Sequence, residues 1–204
     1  MNILEKLAAS DLALDALVEA QAALWASRGW TCAAREMGIP GPILEGFQGL
    51  RVLDLGCGPG RLYPQLQPLA LEYVGADITK SSLEAFHGKH PEARLIWLRS
   101  QELPFLDKTF NLVVCWAVLC HVSWRQVEVI FSESSRVLNN DGQMVATFIE
   151  PSFQRADSNW VCHEQEAITK LATQKELRAL SGQLLQEIGS SYQTLMVFRK
   201  EGTK

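Results

Sequence analysis

The chain has 204 residues, 47% hydrophobic and 21% charged, which suits one globular domain able to bury a single substantial core. That composition excludes a disordered chain, and no apolar run approaches the ~20 residues that a membrane-spanning helix needs. The formal charge of −4, with no Lys/Arg cluster, argues against nucleic acid as a partner, because phosphate-binding proteins present a basic face.

The segment Met1–Lys6 lacks a basic stretch followed by an apolar one, so no secretory leader is expected. The five cysteines (Cys32, Cys57, Cys115, Cys120 and Cys162) form no CxxC pair and no ligand ladder with the four histidines. Buried thiols are therefore expected rather than disulfides or a metal site, and a cytoplasmic location with them.

In chain order, Leu4, Leu7, Leu12, Leu14, Leu17, Val18 and Leu24 among alanines predict one or two amphipathic helices over residues 3–26. Gly38-Ile39-Pro40-Gly41-Pro42 then breaks any helix. Arg51–Leu55 reads as a strand and Arg61–Pro68 as a short helix, with Pro64 tolerable only in its first turn. Tyr73–Asp77 is a second strand, and Ser81-Ser82-Leu83-Glu84 has capping-box spacing for the next helix.

Arg94–Arg99 is a third strand, and the apolar run Asn111–Val118 a fourth, covered on both faces. Ser123-Trp124-Arg125-Gln126 repeats the capping-box spacing, after which Val127, Ile130, Phe131, Ser134 and Val137 recur at helical intervals. Asn140-Asp141-Gly142 is a turn into the strand Gln143–Ile149. A helix is expected over Glu164–Leu180, a poorly alternating strand over Gln183–Ile188 and a final strand over Tyr192–Lys200. Strands alternating with helices require right-handed crossovers, so the fold class is α/β, a doubly wound, mostly parallel sheet between helix layers.

Ligands of such sheets bind beyond the carboxyl ends of the strands, where the strand order reverses. The first strand ends at Leu55, and Gly56, Gly58 and Gly60 follow at once. Glycines there allow a sharp turn and close ligand approach, but G-x-G-x-G alone is a weak signal. Asp77, closing the second strand ~20 residues beyond Asp54, strengthens it, since a carboxylate there can accept from both ribose hydroxyls of a nucleoside. The dinucleotide fingerprint needs a third glycine where this chain has Arg61, and Pro59 stiffens the loop, so NAD and FAD are disfavoured. No Gly-Lys-Ser/Thr follows, which excludes a P-loop.

Here the sequence resembles the class I (Rossmann-like) S-adenosylmethionine-dependent methyltransferases, above all the broad small-molecule group whose first motif reads much like Val52–Arg61. Tyr73-Val74-Gly75-Ala76-Asp77, Leu103-Pro104-Phe105 with Phe110-Asn111-Leu112-Val113-Val114, and Arg136–Gly142 match the later motifs in order. The likeness is good over residues 48–150 and holds only in outline beyond. It implies a seven-stranded sheet in a single domain. Within it, residues 1–47 form a helical lid or extension, 48–150 the cofactor-binding core, and 151–204 a substrate-side helix and the last strands.

The resemblance also implies S-adenosylmethionine as donor, with S-adenosylhomocysteine as product. The backbone of Gly56, Cys57 and Gly58 would lie against its methionine portion, with Asp54 helping to hold the ammonium, directly or through water. Asp77 would take the ribose hydroxyls, Ile78 would cover one adenine face, Ser100 and Gln101 would flank the adenine edge, and Cys115 would offer its backbone to the methionine end. Two positions depart from the family pattern: Arg99 stands where relatives often carry an adenine-binding aspartate, and Asn111 replaces a common aspartate.

Nothing so specific speaks to the acceptor. Methyl transfer is an in-line displacement that needs a base only when the acceptor is protonated. His121, at the carboxyl end of the fourth strand, is the candidate base, against the alternative that it caps or packs on the next helix. Trp116, Trp160, His163, Trp25 and Trp30 are candidate lining residues, each also explicable as packing. No Asn-Pro-Pro-Tyr follows the fourth strand, and with the acidic balance this favours a small-molecule acceptor over protein or nucleic acid. A cofactor-binding subunit without catalysis is the reading from a different class, and a protein or nucleic-acid methyltransferase the third.

Overall fold

The computed structural model of the chain describes residues 14–28, 38–98, 102–153, 161–188 and 191–202. Arg99, Ser100 and Gln101, and the candidate lining residues Trp30 and Trp160, lie outside them.

Seven strands form one sheet: β1 (Leu50–Leu55), β2 (Ala70–Asp77), β3 (Arg94–Trp97), β4 (Phe110–Cys115), β5 (Leu138–Phe148), β6 (Leu177–Ile188) and β7 (Ser191–Lys200). Their order is β3-β2-β1-β4-β5-β7-β6. The first five run parallel, whereas β7 is antiparallel to both β5 and β6. The order reverses between β1 and β4, which puts the ligand crevice of an open α/β sheet beyond Leu55 and Cys115. This is the predicted class, a doubly wound and mostly parallel α/β sheet.

The helices are α1 (Leu14–Arg28), α2 (Gly41–Leu44), α3 (Tyr63–Leu66), α4 (Lys80–Lys89), α5 (Trp124–Val137) and α6 (Gln165–Gln174), with short 3-10 turns at Gln67–Leu69, Leu119–His121 and Pro151–Phe153. None of the described helices is long and apolar enough to cross a membrane. The sheet carries a core on each face. On one, Leu53, Val113, Phe131 and Phe198 pack together; on the other, Val52, Leu112, Tyr73 and Phe86 do. Every strand of the parallel centre is thus buried on both sides, which is why β4 reads as an unbroken apolar run.

Helix α5 starts where the sequence predicts. Ser123 Oγ accepts from the Gln126 N–H and Gln126 Oε1 accepts from the Ser123 N–H, and Val127, Ile130, Phe131, Ser134 and Val137 are all buried. The expected box at Ser81 does not form. Helix α4 begins two residues earlier, behind Thr79, whose N–H donates to Asp77 Oδ1 at 2.7 Å. The predicted fourth strand stops at Cys115 rather than Val118, because Ala117 takes a left-handed φ of 57° and ties its N–H to Thr147 Oγ1 at 2.8 Å. The Asn140–Gly142 turn lies inside a continuous β5, as an irregularity in its pairing with β4 and a φ of 66° at Asp141.

The largest correction is at the C-terminal side. The helix predicted to Leu180 ends at Gln174, Glu176 turns the chain with a φ of 60°, and Leu177 already pairs with Lys200. Leu177-Arg178-Ala179-Leu180 suits a helix or a strand locally, and pairing with β7 decides for the strand.

Candidate functional site

The glycine loop closes over the end of β2. The N–H groups of Gly56 and Cys57 donate to Ala76 O at 2.7 and 3.2 Å, and that of Gly58 donates to Asp77 Oδ2 at 2.8 Å. Glycine is required at two of these positions. Gly56 has a φ of 77°, and a Cβ on it would lie 2.2 Å from Val118 Cγ2; Gly60 has a φ of 85°, and a Cβ there would lie 2.6 Å from the Phe86 ring. The loop is therefore pinned between the ends of β2 and β4.

Two carboxylates flank it. Asp77, at the last position of β2, is buried, and its two oxygens accept from the Gly58 and Thr79 N–H groups. Burial pushes its carboxyl above the usual range, and the backbone donors at Thr79 and Gly58 oppose that. The Thr79 side chain and the Ile78 backbone also hydrogen-bond this carboxylate. Asp54, in β1, is 1% exposed and accepts from the Tyr73 hydroxyl at 2.8 Å on Oδ2. Burial pushes its pKa up to about 7, while the Tyr73 hydrogen bond and the Arg61 charge pull the other way.

Beyond β4, Cys115 and Trp116 are buried, Val118 covers Gly56, and the 3-10 turn carries His121. The His121 ring meets the edge of Trp25 at 4.5 Å between centroids, and its carbonyl accepts from Gln21 Nε2 at 3.0 Å. Helix α1 also touches α4, so it reaches between the elements that follow β2 and β4. Trp25 and His121 are thus brought together at the crevice. His163 is buried instead: its Nε2–H donates to Leu119 O at 2.9 Å, and its backbone N–H to Ile149 O at 2.8 Å. Burial holds its pKa low. That imidazole clamps the turn after β4 to the end of β5, which is the packing alternative for it.

Of the predicted residues, Asp54, Gly56, Cys57, Gly58, Asp77, Ile78 and Cys115 come together along the carboxyl edges of β1, β2 and β4. Ile78 is half-buried, and its carbonyl accepts from Trp97 Nε1 at 3.0 Å. The sequence reading missed Tyr73 and Gln193. Trp116 Nε1 and Gln193 Oε1 are buried polar atoms without a hydrogen-bond partner, and both residues lie at the ligand-side ends of their strands. Period-two alternation from Val52 and Val114 places Asp54 and Trp116 on one face. Nothing short of the strand register, however, connects Gln193 to them.

A family model described as a methyltransferase domain matches residues 52–142. The chain is similar to the malonyl-[acyl-carrier protein] O-methyltransferase of Legionella pneumophila, 32% identical over 129 residues that cover 57% of this chain and 43% of the relative. It is similar to the ubiquinone biosynthesis O-methyltransferase of Mesorhizobium japonicum, 29% identical over 106 residues, 50% of this chain and 42% of the relative. It thus spans less than half the length of either relative. Among solved structures, the magnesium protoporphyrin IX methyltransferase of Synechocystis PCC 6803 with bound SAM superposes with a TM-score of 0.65 at 15% identity, covering 98% of this chain and 85% of that one. At that identity the likeness speaks for the fold alone.

Proposed function

We propose that the chain is a class I S-adenosylmethionine-dependent methyltransferase that binds S-adenosylmethionine along the Asp54–Asp77 edge and methylates a small-molecule acceptor. The observation that carries the reading is the pair of buried carboxylates on neighbouring strands, joined by a glycine loop that donates to one of them.

The donor set fits the cofactor. Asp77 offers a carboxylate at the end of β2 for the two ribose hydroxyls, and Asp54 presents negative charge for the ammonium of the methionine portion. Backbone groups of Gly56, Cys57, Gly58 and Cys115 line the path between them, with Ile78, Ser100 and Gln101 assigned to the adenine. The bound cofactor supplies a methyl group on a sulfonium, already activated for displacement. The chain's own residues position the acceptor and exclude water, which can lower a barrier by roughly 7–11 kcal/mol in favourable cases.

On the acceptor side, Trp25 and His121 stand at the mouth of the crevice, and α1 is proposed as its lid. His121 is the candidate base, and the buried indole N–H of Trp116 is a donor ready for a polar group of the acceptor. Trp30 and Trp160 stay as proposed lining residues. A small-molecule acceptor is in keeping with the name of one similar protein, the ubiquinone biosynthesis O-methyltransferase.

The test has two parts. Isothermal titration should find S-adenosylhomocysteine binding to the wild type and a large loss in Asp77→Ala; equal affinity would refute the site. The protein is then incubated with trideuteromethyl-labelled S-adenosylmethionine and a small-molecule extract, a protein fraction or RNA. Label in a metabolite supports the reading, and label only in protein or RNA supports the macromolecular alternative. Binding with no transfer to any fraction supports a non-catalytic subunit.

A further inference from the structure

Tyr73 pairs with Val52 in the β1–β2 register, two residues before the pair Asp54–Gly75. Alternation places Tyr73, Gly75, Val52 and Asp54 on one face of the sheet. To reach Asp54, the tyrosine must lie along its own strand, across Gly75. It does: a Cβ on Gly75 would come within 3.2 Å of Tyr73 Oη and 3.0 Å of Cys57 Sγ. The missing side chain at 75 is what lets the phenol pass.

The ring is held independently of its hydroxyl. Tyr63 meets it edge-on at 4.8 Å between centroids and Phe86 at 6.2 Å, and Tyr63 is anchored by its own hydroxyl on Glu92 Oε1 at 3.1 Å. Burial holds the phenol protonated well beyond neutral pH, so it is a permanent donor. The bond to Asp54 is therefore a feature of a rigid aromatic cluster.

We infer that Tyr73 is a positioning residue of the donor site: its hydroxyl, 2.8 Å from Asp54 Oδ2, fixes the carboxylate that meets the ammonium group of the cofactor's methionine portion. The inference rests on the cofactor reading above. Without the hydroxyl, a carboxylate as buried as Asp54 loses both an orienting contact and support for its charge. The groups acting on Asp54 are Arg61 and Asp77, with Tyr73. Asp54 in turn acts on Cys57 in the loop and Cys115 in β4. Among the described residues, Tyr73 and Arg61 favour its ionised form.

The test compares S-adenosylhomocysteine with 5′-methylthioadenosine, which has the same nucleoside and thioether but no ammonium or carboxylate. Wild type and Tyr73→Phe are titrated calorimetrically with each from pH 5.5 to 8.5. Phenylalanine keeps the ring contacts. It should weaken S-adenosylhomocysteine about tenfold, the loss expected for one hydrogen bond to a charged group. 5′-Methylthioadenosine should stay within about twofold. The pH at which S-adenosylhomocysteine affinity reaches its plateau should also move upward in Tyr73→Phe.

On an Asp54→Asn background, Tyr73→Phe should add no further selective loss. Equal losses for both ligands mean a merely structural role and overturn the inference, as does unchanged S-adenosylhomocysteine affinity. If the wild type binds neither ligand, the cofactor reading itself fails, and the two failures are told apart by the first titration.

Discussion

Asp54 makes the ligand-free fold sensitive to pH in a direction opposite to most carboxylates. Its pKa is pushed from 3.8 up to about 7, because burial outweighs the Tyr73 hydrogen bond and the Arg61 charge. An acid with a folded-state pKa above its unfolded one binds more protons when folded. Stability from this group therefore falls as pH rises from 3.8 to about 7 and is level beyond that. At 1.36 kcal/mol per unit, the whole effect is about 4 kcal/mol, and the part falling between pH 5.5 and 8 is about 2 kcal/mol. Asp54→Asn removes the charge while keeping an oxygen for Tyr73. By urea or thermal unfolding without ligand, its advantage over wild type should widen by about 2 kcal/mol from pH 5.5 to 8, a relative gain of roughly 4–8 °C in melting temperature. Differencing the two proteins cancels groups common to both, such as His163. A gap that stays constant with pH, or narrows, would refute the claim that a buried, strained carboxylate is held there for a cation.

Three other perturbations separate loop, lid and clamp. Gly56→Ala must hold an L-residue at a φ of 77° with its Cβ 2.2 Å from Val118 Cγ2, so it should cost more than the ~1–2 kcal/mol of the left-handed conformation and sharply reduce S-adenosylhomocysteine affinity by calorimetry. Gln21→Leu breaks the reciprocal amide pair with Gln126 (3.1 and 2.7 Å) and takes the acceptor from the buried Gln126 Nε2, at roughly 1–3 kcal/mol, while Gln126 Oε1 keeps Ser123. Hydrogen exchange should speed up in α1 and in residues 119–121 while β1 and β4 stay protected; uniform acceleration would speak against a separable lid. Burial holds the His163 pKa below the ordinary 6.5, so this group's contribution to stability is lost as pH falls below that value, and the stability difference between His163→Gln and wild type should shift in the variant's favour over the same range.

The half of the candidate site proposed for the donor is legible as a cluster of residues because it is local. Gly56, Gly58, Gly60 and Asp77 fall within one strand–loop–helix–strand unit, where spacing and residue type carry the geometry. The capping box at Ser123 was legible for the same reason, since both partners are three residues apart. The box at Ser81 misled, because Asp77 captures the Thr79 N–H from outside the helix and shifts its start. The bond from Tyr73 to Asp54 was invisible because it depends on strand register, which composition and periodicity do not contain. Leu177–Leu180 went wrong because the deciding partner, β7, lies far along the chain.

That division explains why the two proposed halves of the site are legible to different depths. The proposed donor edge is built by β1, β2 and β4 and the short segments directly after them, so its chemistry is written in consecutive residues. The proposed acceptor side is assembled from the turn after β4, the end of β5, β7 and α1. These are brought together by contacts such as Ala117 to Thr147, His163 to Leu119 and Gln21 to His121. Each spans tens of residues and uses side chains that would pass for packing in isolation. A change of acceptor therefore requires only altered side chains on this second set, while the Asp54–Tyr73 and Asp77–Gly58 bonds stay fixed. On that reasoning, exchange of Trp25, Trp116 or Gln193 should alter acceptor choice and leave S-adenosylhomocysteine affinity within a few-fold of wild type. A parallel collapse of cofactor binding in all three would show that the two halves are not separable.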